Sequence, residues 1–106
     1  MNYGIEDIKK LASNKQIKWS GHVTQRMIQR NINRKQVIDA LLCGEIIEEY
    51  QDDYPYPSYL VFALISQDKP LHVVCSIGQN NIWIITVYKP NNIKWHSDFK
   101  TRKDVN

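Results

Sequence analysis

A chain of 106 residues with an apolar fraction of 42% and a charged fraction of 24% has the composition of one globular domain with a single core. Its net charge of +3 permits a polyanionic partner without demanding one. No apolar run approaches the roughly 20 residues that cross a bilayer, and the opening MNYGIEDIKK lacks a signal peptide's apolar stretch, so a cytoplasmic protein is expected. Cys43 and Cys75 form no close pair and are expected as buried thiols rather than a disulfide.

In chain order, Ile5, Ile8, Leu11 and Ala12 keep one face of a short helix expected to begin near Asn2 and end by Asn14. This helix, within 1–16, is expected to be accessory to a single α+β domain over 17–102, with 103–106 as a tail. Ser20 is an N-cap for a second helix reaching about Arg30, whose Val23 and Met27 face a core. Asn31 suits the left-handed residue that closes it, and Asn33 caps a third helix through Cys43, stopped by Gly44. The period then changes to that of strands in EIIEEY, SYLVFALIS, PLHVVCSI and IWIITVY, which predicts helices packed on a mainly antiparallel, four-stranded sheet. Gly78 to Asn81 is a hairpin turn. A three-residue loop there pairs Gly78 with Ile82 and places Val73, Cys75 and Ile77 on one face with Trp83, Ile85 and Val87. His72, Ser76, Thr86 and Tyr88 then share the other, and a one-residue slip would separate these groups. After Pro90, a basic tail is expected to be anchored by Trp95 and Phe99.

Charge is segregated along the chain. From Ile8 to Ile38 there is no Asp or Glu, and from Gln36 to Asp68 there is no Lys or Arg. Within the basic half, His22, Arg26 and Arg30 recur at intervals of four and so form one stripe on a helix. Like charges at that spacing repel, so the stripe calls for an anionic partner. That partner is either the chain's own acidic segment, through Glu45, Glu48, Asp52 or Asp53, or an external phosphate. Histidine exchanges a proton near neutral pH and guanidinium grips phosphate with two hydrogen bonds, which together suit RNA cleavage without a metal. His72 is either a second proton-transfer group or a satisfied core histidine, and Thr86 and Tyr88 are either phosphate donors or ordinary strand residues. Tyr54 and Tyr56, in a proline-stiffened loop, offer rings for unpaired bases, although Asp52 and Asp53 beside them oppose a phosphate backbone. His22, His72, His96, Cys43 and Cys75 lack the paired spacings of zinc sites, and no cofactor is expected.

The succession IKWSGHVTQRMIQRNI, GEIIEEYQDDYPYPSYL, KPLHVV and IITVYKP with a following Trp95 resembles the bacterial family named domain of unknown function 4258. The resemblance covers about Ile17 to Arg102. It implies a distant relationship to RelE- and MqsR-type toxins, with helices on a curved antiparallel sheet. The implied activity is metal-independent endoribonuclease action, restrained by an antitoxin protein that carries a zinc finger and a DNA-binding domain. The family's recurrent polar positions fall on His22, Arg26, Arg30, Asp53, Ser58, His72, Thr86 and Tyr88, while Val23 and Asn31 stand where Ala and Gly are expected.

The leading expectation is a toxin-like ribonuclease in which His22, Arg26, His72 and Tyr88 are catalytic and Arg30, Tyr54, Tyr56 and Thr86 bind RNA. Its rival is a non-catalytic module that binds protein or RNA, with arginines paired internally and histidines buried.

Overall fold

The computed structural model describes residues 3–103. Three α-helices, α1 (Ile5–Ser13), α2 (Gly21–Gln29) and α3 (Arg34–Cys43), pack on a five-stranded mixed sheet. Its strands are β1 (Ile17–Lys18), β2 (Glu45–Tyr50), β3 (Ser58–Ile65), β4 (Lys69–Gly78) and β5 (Asn81–Tyr88), in the order β1-β5-β4-β3-β2. The fifth strand corrects the four-stranded expectation. Ile17 and Lys18 run parallel to Ile82 and Trp83, and two residues are too few to show a strand period of their own.

Local chemistry explains the helices. The Ser20 hydroxyl accepts from the Val23 amide at 3.1 Å and starts α2. Asn31 takes a φ of 57° and turns the chain toward α3, whose Asn33 and Gln36 cap each other's backbone amides. The first helix begins at Ile5 after Gly4; the expected start at Asn2 lies outside the described residues, as do residues 104–106 of the tail. Ile8 and Ala12 of α1 are buried with Val37 and Leu41 of α3 in the common core. Cys75 is buried as expected, but Cys43 is exposed at the last residue of α3.

The β4–β5 hairpin departs from the expected register. Gln79 and Asn80 both have positive φ, 54° and 62°, forming a two-residue turn that pairs Gly78 with Asn81. Ile82 and Ile84, rather than Trp83 and Ile85, therefore face the core with Ile77 and Cys75. A bulge at Ile85 then restores the phase, so Val87 opposite Val73 is buried while Tyr88 stands opposite His72 and Thr86 opposite Val74.

The helices cover one face of the sheet. The other face carries Leu60, Phe62 and His72, and the segment after Pro90 folds across it with Trp95 at 2% exposure. The loop between β2 and β3 turns and bends, with a cis Tyr54–Pro55 bond, instead of following an extended path. No helix among the described residues is long and apolar enough to cross a membrane.

Candidate functional site

Helix α2 buries Val23 and Met27 and leaves His22, Arg26 and Arg30 exposed. The stripe lies along β5 beyond Trp83, where β1 has ended and among the described residues no strand pairs with that edge. Arg30 reaches the edge directly: its Nη1 donates to the Val87 carbonyl at 2.8 Å and to the Thr86 hydroxyl at 3.3 Å. One guanidinium nitrogen is thus pinned, and the N–H groups of Nε and Nη2 have no partner among the described residues.

Two clefts meet at Arg30. One, of about 230 Å³, is lined by His22, Val23, Arg26, Arg30, Ile85, Thr86 and Val87. The other, of about 350 Å³, is lined by Arg30, Tyr88, Lys89, Pro90, Asn91, Lys94, Trp95 and Arg102. Among the described residues, no Asp or Glu lines either. The acidic segment answers the C-terminal chain instead: Arg102 forks onto Glu48 at 2.7 and 3.1 Å, and Lys100 pairs with Glu45 at 3.1 Å. Asp53 accepts from Ser58. Among the described residues, Arg26 and Arg30 have no ion pair, so Glu45, Glu48, Asp52 and Asp53 do not neutralise the stripe by direct pairing.

His72 sits behind the second cleft, fully buried, and both ring nitrogens are occupied. Its Nε2 lies 2.8 Å from the Phe99 carbonyl oxygen and its Nδ1 lies 3.2 Å from the Tyr88 hydroxyl. The ring packs edge-on against Phe62, Tyr88 and Trp95. Burial pushes its pKa below the ordinary histidine value, partly offset by the Phe99 carbonyl. Burial likewise raises the Tyr88 phenol, which stays protonated at neutral pH. Trp95 is capped by Arg102, whose guanidinium carbon lies 4.6 Å from the ring centroid. Burial raises the Glu48 carboxyl, but the Arg102 fork and the Tyr50 hydroxyl outweigh it and hold its pKa below the ordinary value.

The structure gathers His22, Arg26, Arg30 and Thr86 around one cleft and places Tyr88 in its neighbour. His72 lies beneath Tyr88 without itself lining a cleft. Tyr54 is 95% exposed in the β2–β3 loop, and Tyr56 packs against Gly78 at the hairpin end of β4. Gly78 is six residues along β4 from His72, or about 20 Å at strand rise, so neither tyrosine joins the clefts. Sequence reasoning passed over Lys89, Asn91, Lys94 and Arg102, for which the basic composition after Tyr88 was the available signal.

Residues 19–89 match the family model described as domain of unknown function (DUF4258). The chain belongs to this family. No curated protein and no solved structure matches it. The matched span of this DUF4258 member contains α2 and Tyr88 but ends before Trp95 and Arg102, so the segment that completes the second cleft falls outside it.

Proposed function

We propose that this protein is a RelE-like, toxin-like endoribonuclease that cleaves single-stranded RNA without a metal ion, in the cytoplasm, under the control of an antitoxin protein carrying a zinc finger and a DNA-binding domain. The observation that carries the reading is Arg30, shared by two clefts that no Asp or Glu lines among the described residues, and pinned through one nitrogen while its Nε and Nη2 have no partner among those residues. A guanidinium fixed this way meets a phosphate with two parallel hydrogen bonds and little loss of side-chain freedom. Arg26 adds a second cation to the same cleft, and Lys89 and Lys94 extend the positive lining along the neighbouring one.

In this reading Arg30 and Arg26 stabilise charge on the phosphorus while His22, exposed in the first cleft, transfers a proton. Thr86 and Tyr88, two residues apart on β5, flank the bound phosphate. The clefts therefore suit an anion that continues in both directions, as a phosphodiester does.

The test is incubation of wild type and His22→Ala with labelled single-stranded RNA in chelator, free and on programmed ribosomes. Wild type is expected to cleave, and His22→Ala to cleave at least about 100-fold more slowly. RNA left intact by wild type in both settings would overturn the reading in favour of a non-catalytic module.

A further inference from the structure

Resting on that reading, the geometry points to Tyr88 as the group that takes the proton of the attacking 2′-hydroxyl, with His72 behind it as the positioning residue that receives the tyrosine's own proton. The Phe99 carbonyl can only accept, so His72 Nε2 carries the proton in that bond. In a neutral imidazole Nδ1 is then an acceptor, and the Tyr88 hydroxyl must donate to it across 3.2 Å. Tyr88 is half-buried and lines the second cleft, so with its hydrogen committed inward any further hydrogen bond its oxygen makes with a group in that cleft is one it accepts. Such an oxygen does not donate to a phosphate. It accepts from a hydroxyl, which a ribose has at the 2′ position and a deoxyribose lacks.

The tail fixes this direction. Phe99 has a φ of 56°, uncommon for a bulky residue, and its turn is held by Asp98, which accepts from the Lys100 and Thr101 amides and the Thr101 hydroxyl. Trp95 shields the imidazole from water. The charged groups around His72 are Glu48 of β2, which favours the protonated ring, and Arg102 of the tail, which opposes it; burial dominates, so the resting ring is neutral.

The 2′-oxygen bonds to phosphorus as its proton passes to the Tyr88 oxygen, and the original phenolic proton passes to His72 Nδ1. The bond from phosphorus to the 5′-oxygen breaks, and that oxygen takes a proton from His22, on the opposite side of Arg30. The products are a 2′,3′-cyclic phosphate and a 5′-hydroxyl. The histidines exchange charge states and are reset through water.

The decisive experiment combines kinetics of Tyr88→Phe with nitrogen NMR of His72 in the wild type. Tyr88→Phe is expected to lower kcat about 100-fold, leave KM and the thermal midpoint nearly unchanged, and lose the acid limb that titration of His72 gives the wild-type kcat profile. His72→Gln is expected to lower kcat and remove the same limb; if it fails to fold, Tyr88→Phe decides. The NMR spectrum is expected to show the Nε2-protonated tautomer. Wild-type cleavage with Tyr88→Phe equally active, an unchanged acid limb, or the Nδ1-protonated tautomer would overturn the relay alone. RNA left intact by wild type, free and on ribosomes, would overturn the relay and the ribonuclease reading together.

Discussion

Trp95→Ala tests the role given to the C-terminal segment. The indole is 2% exposed, edge-on to His72 at 4.6 Å and capped by Arg102. A buried tryptophan removes about 200 Å² from water, which at about 25 cal/mol/Å² is about 5 kcal/mol. Measured truncations of this kind cost about 3–5 kcal/mol, or roughly 12–40 °C in thermal midpoint for a domain of this size. The loss has a local signature as well. Burial lowers the His72 pKa and the Phe99 carbonyl raises it, with burial the larger effect. Freeing the segment removes both, so the His72 pKa should rise toward about 6.5. Urea unfolding gives the first quantity and an NMR titration of His72 the second. A stability loss below about 1 kcal/mol, or an unmoved His72 pKa, would refute the packing argument.

Other perturbations separate binding from folding. Arg30→Lys keeps the charge but cannot hold the Val87 carbonyl and present a planar fork at once; RNA affinity measured by fluorescence anisotropy should fall about tenfold with little change in thermal midpoint. Arg26→Ala should reduce the magnitude of the salt slope of binding by about 0.7, the value for one lost phosphate contact on a single strand. Gly44→Ala places a Cβ 2.4 Å from the Ala40 carbonyl oxygen and 2.7 Å from that of Phe62, where α3 meets β2; urea unfolding should show a loss of about 1–3 kcal/mol. Stability should also fall with acid in two stages. Because the folded-state pKa of His72 is lowered, the unfolded chain binds the extra proton first, and stability declines as pH falls below about 6.5 with a slope of at most about 1.4 kcal/mol per unit. Glu48, also lowered, adds a loss as pH falls below its unfolded value of 4.5 and through its folded one. Urea midpoints that stay level from pH 7 to 5 would contradict the His72 part.

Much of the architecture is local and therefore legible. Ser20, Asn31 and Asn33 act on amides or torsions within a few residues, and their roles follow from side-chain chemistry. The α2 stripe follows from helical period alone. The β4–β5 register illustrates what is not local. A two-residue turn shifts the pairing by one and a bulge at Ile85 shifts it back, so Tyr88 meets His72 although the intervening Trp83 and Ile85 do not lie where the simple alternation puts them. Strand β1 exists through its pairing with residues far along the chain. The acidic segment was legible as a charge run but not its partners, since Glu48 meets Arg102 across 54 residues. The contact that orients His72 comes from a backbone carbonyl, and a backbone carbonyl carries no residue-type signature.

The most direct test of the proposed site is a nitrogen-resolved NMR titration with a single-stranded oligonucleotide carrying 2′-deoxy sugars, which binds but offers no hydroxyl for cleavage. Shifts are expected at the Arg30 Nε–H and at the amides of His22, Thr86, Tyr88 and Lys89, fading as salt rises. Shifts confined to the Tyr54–Tyr56 loop or to β2, or no shifts at all, would contradict it.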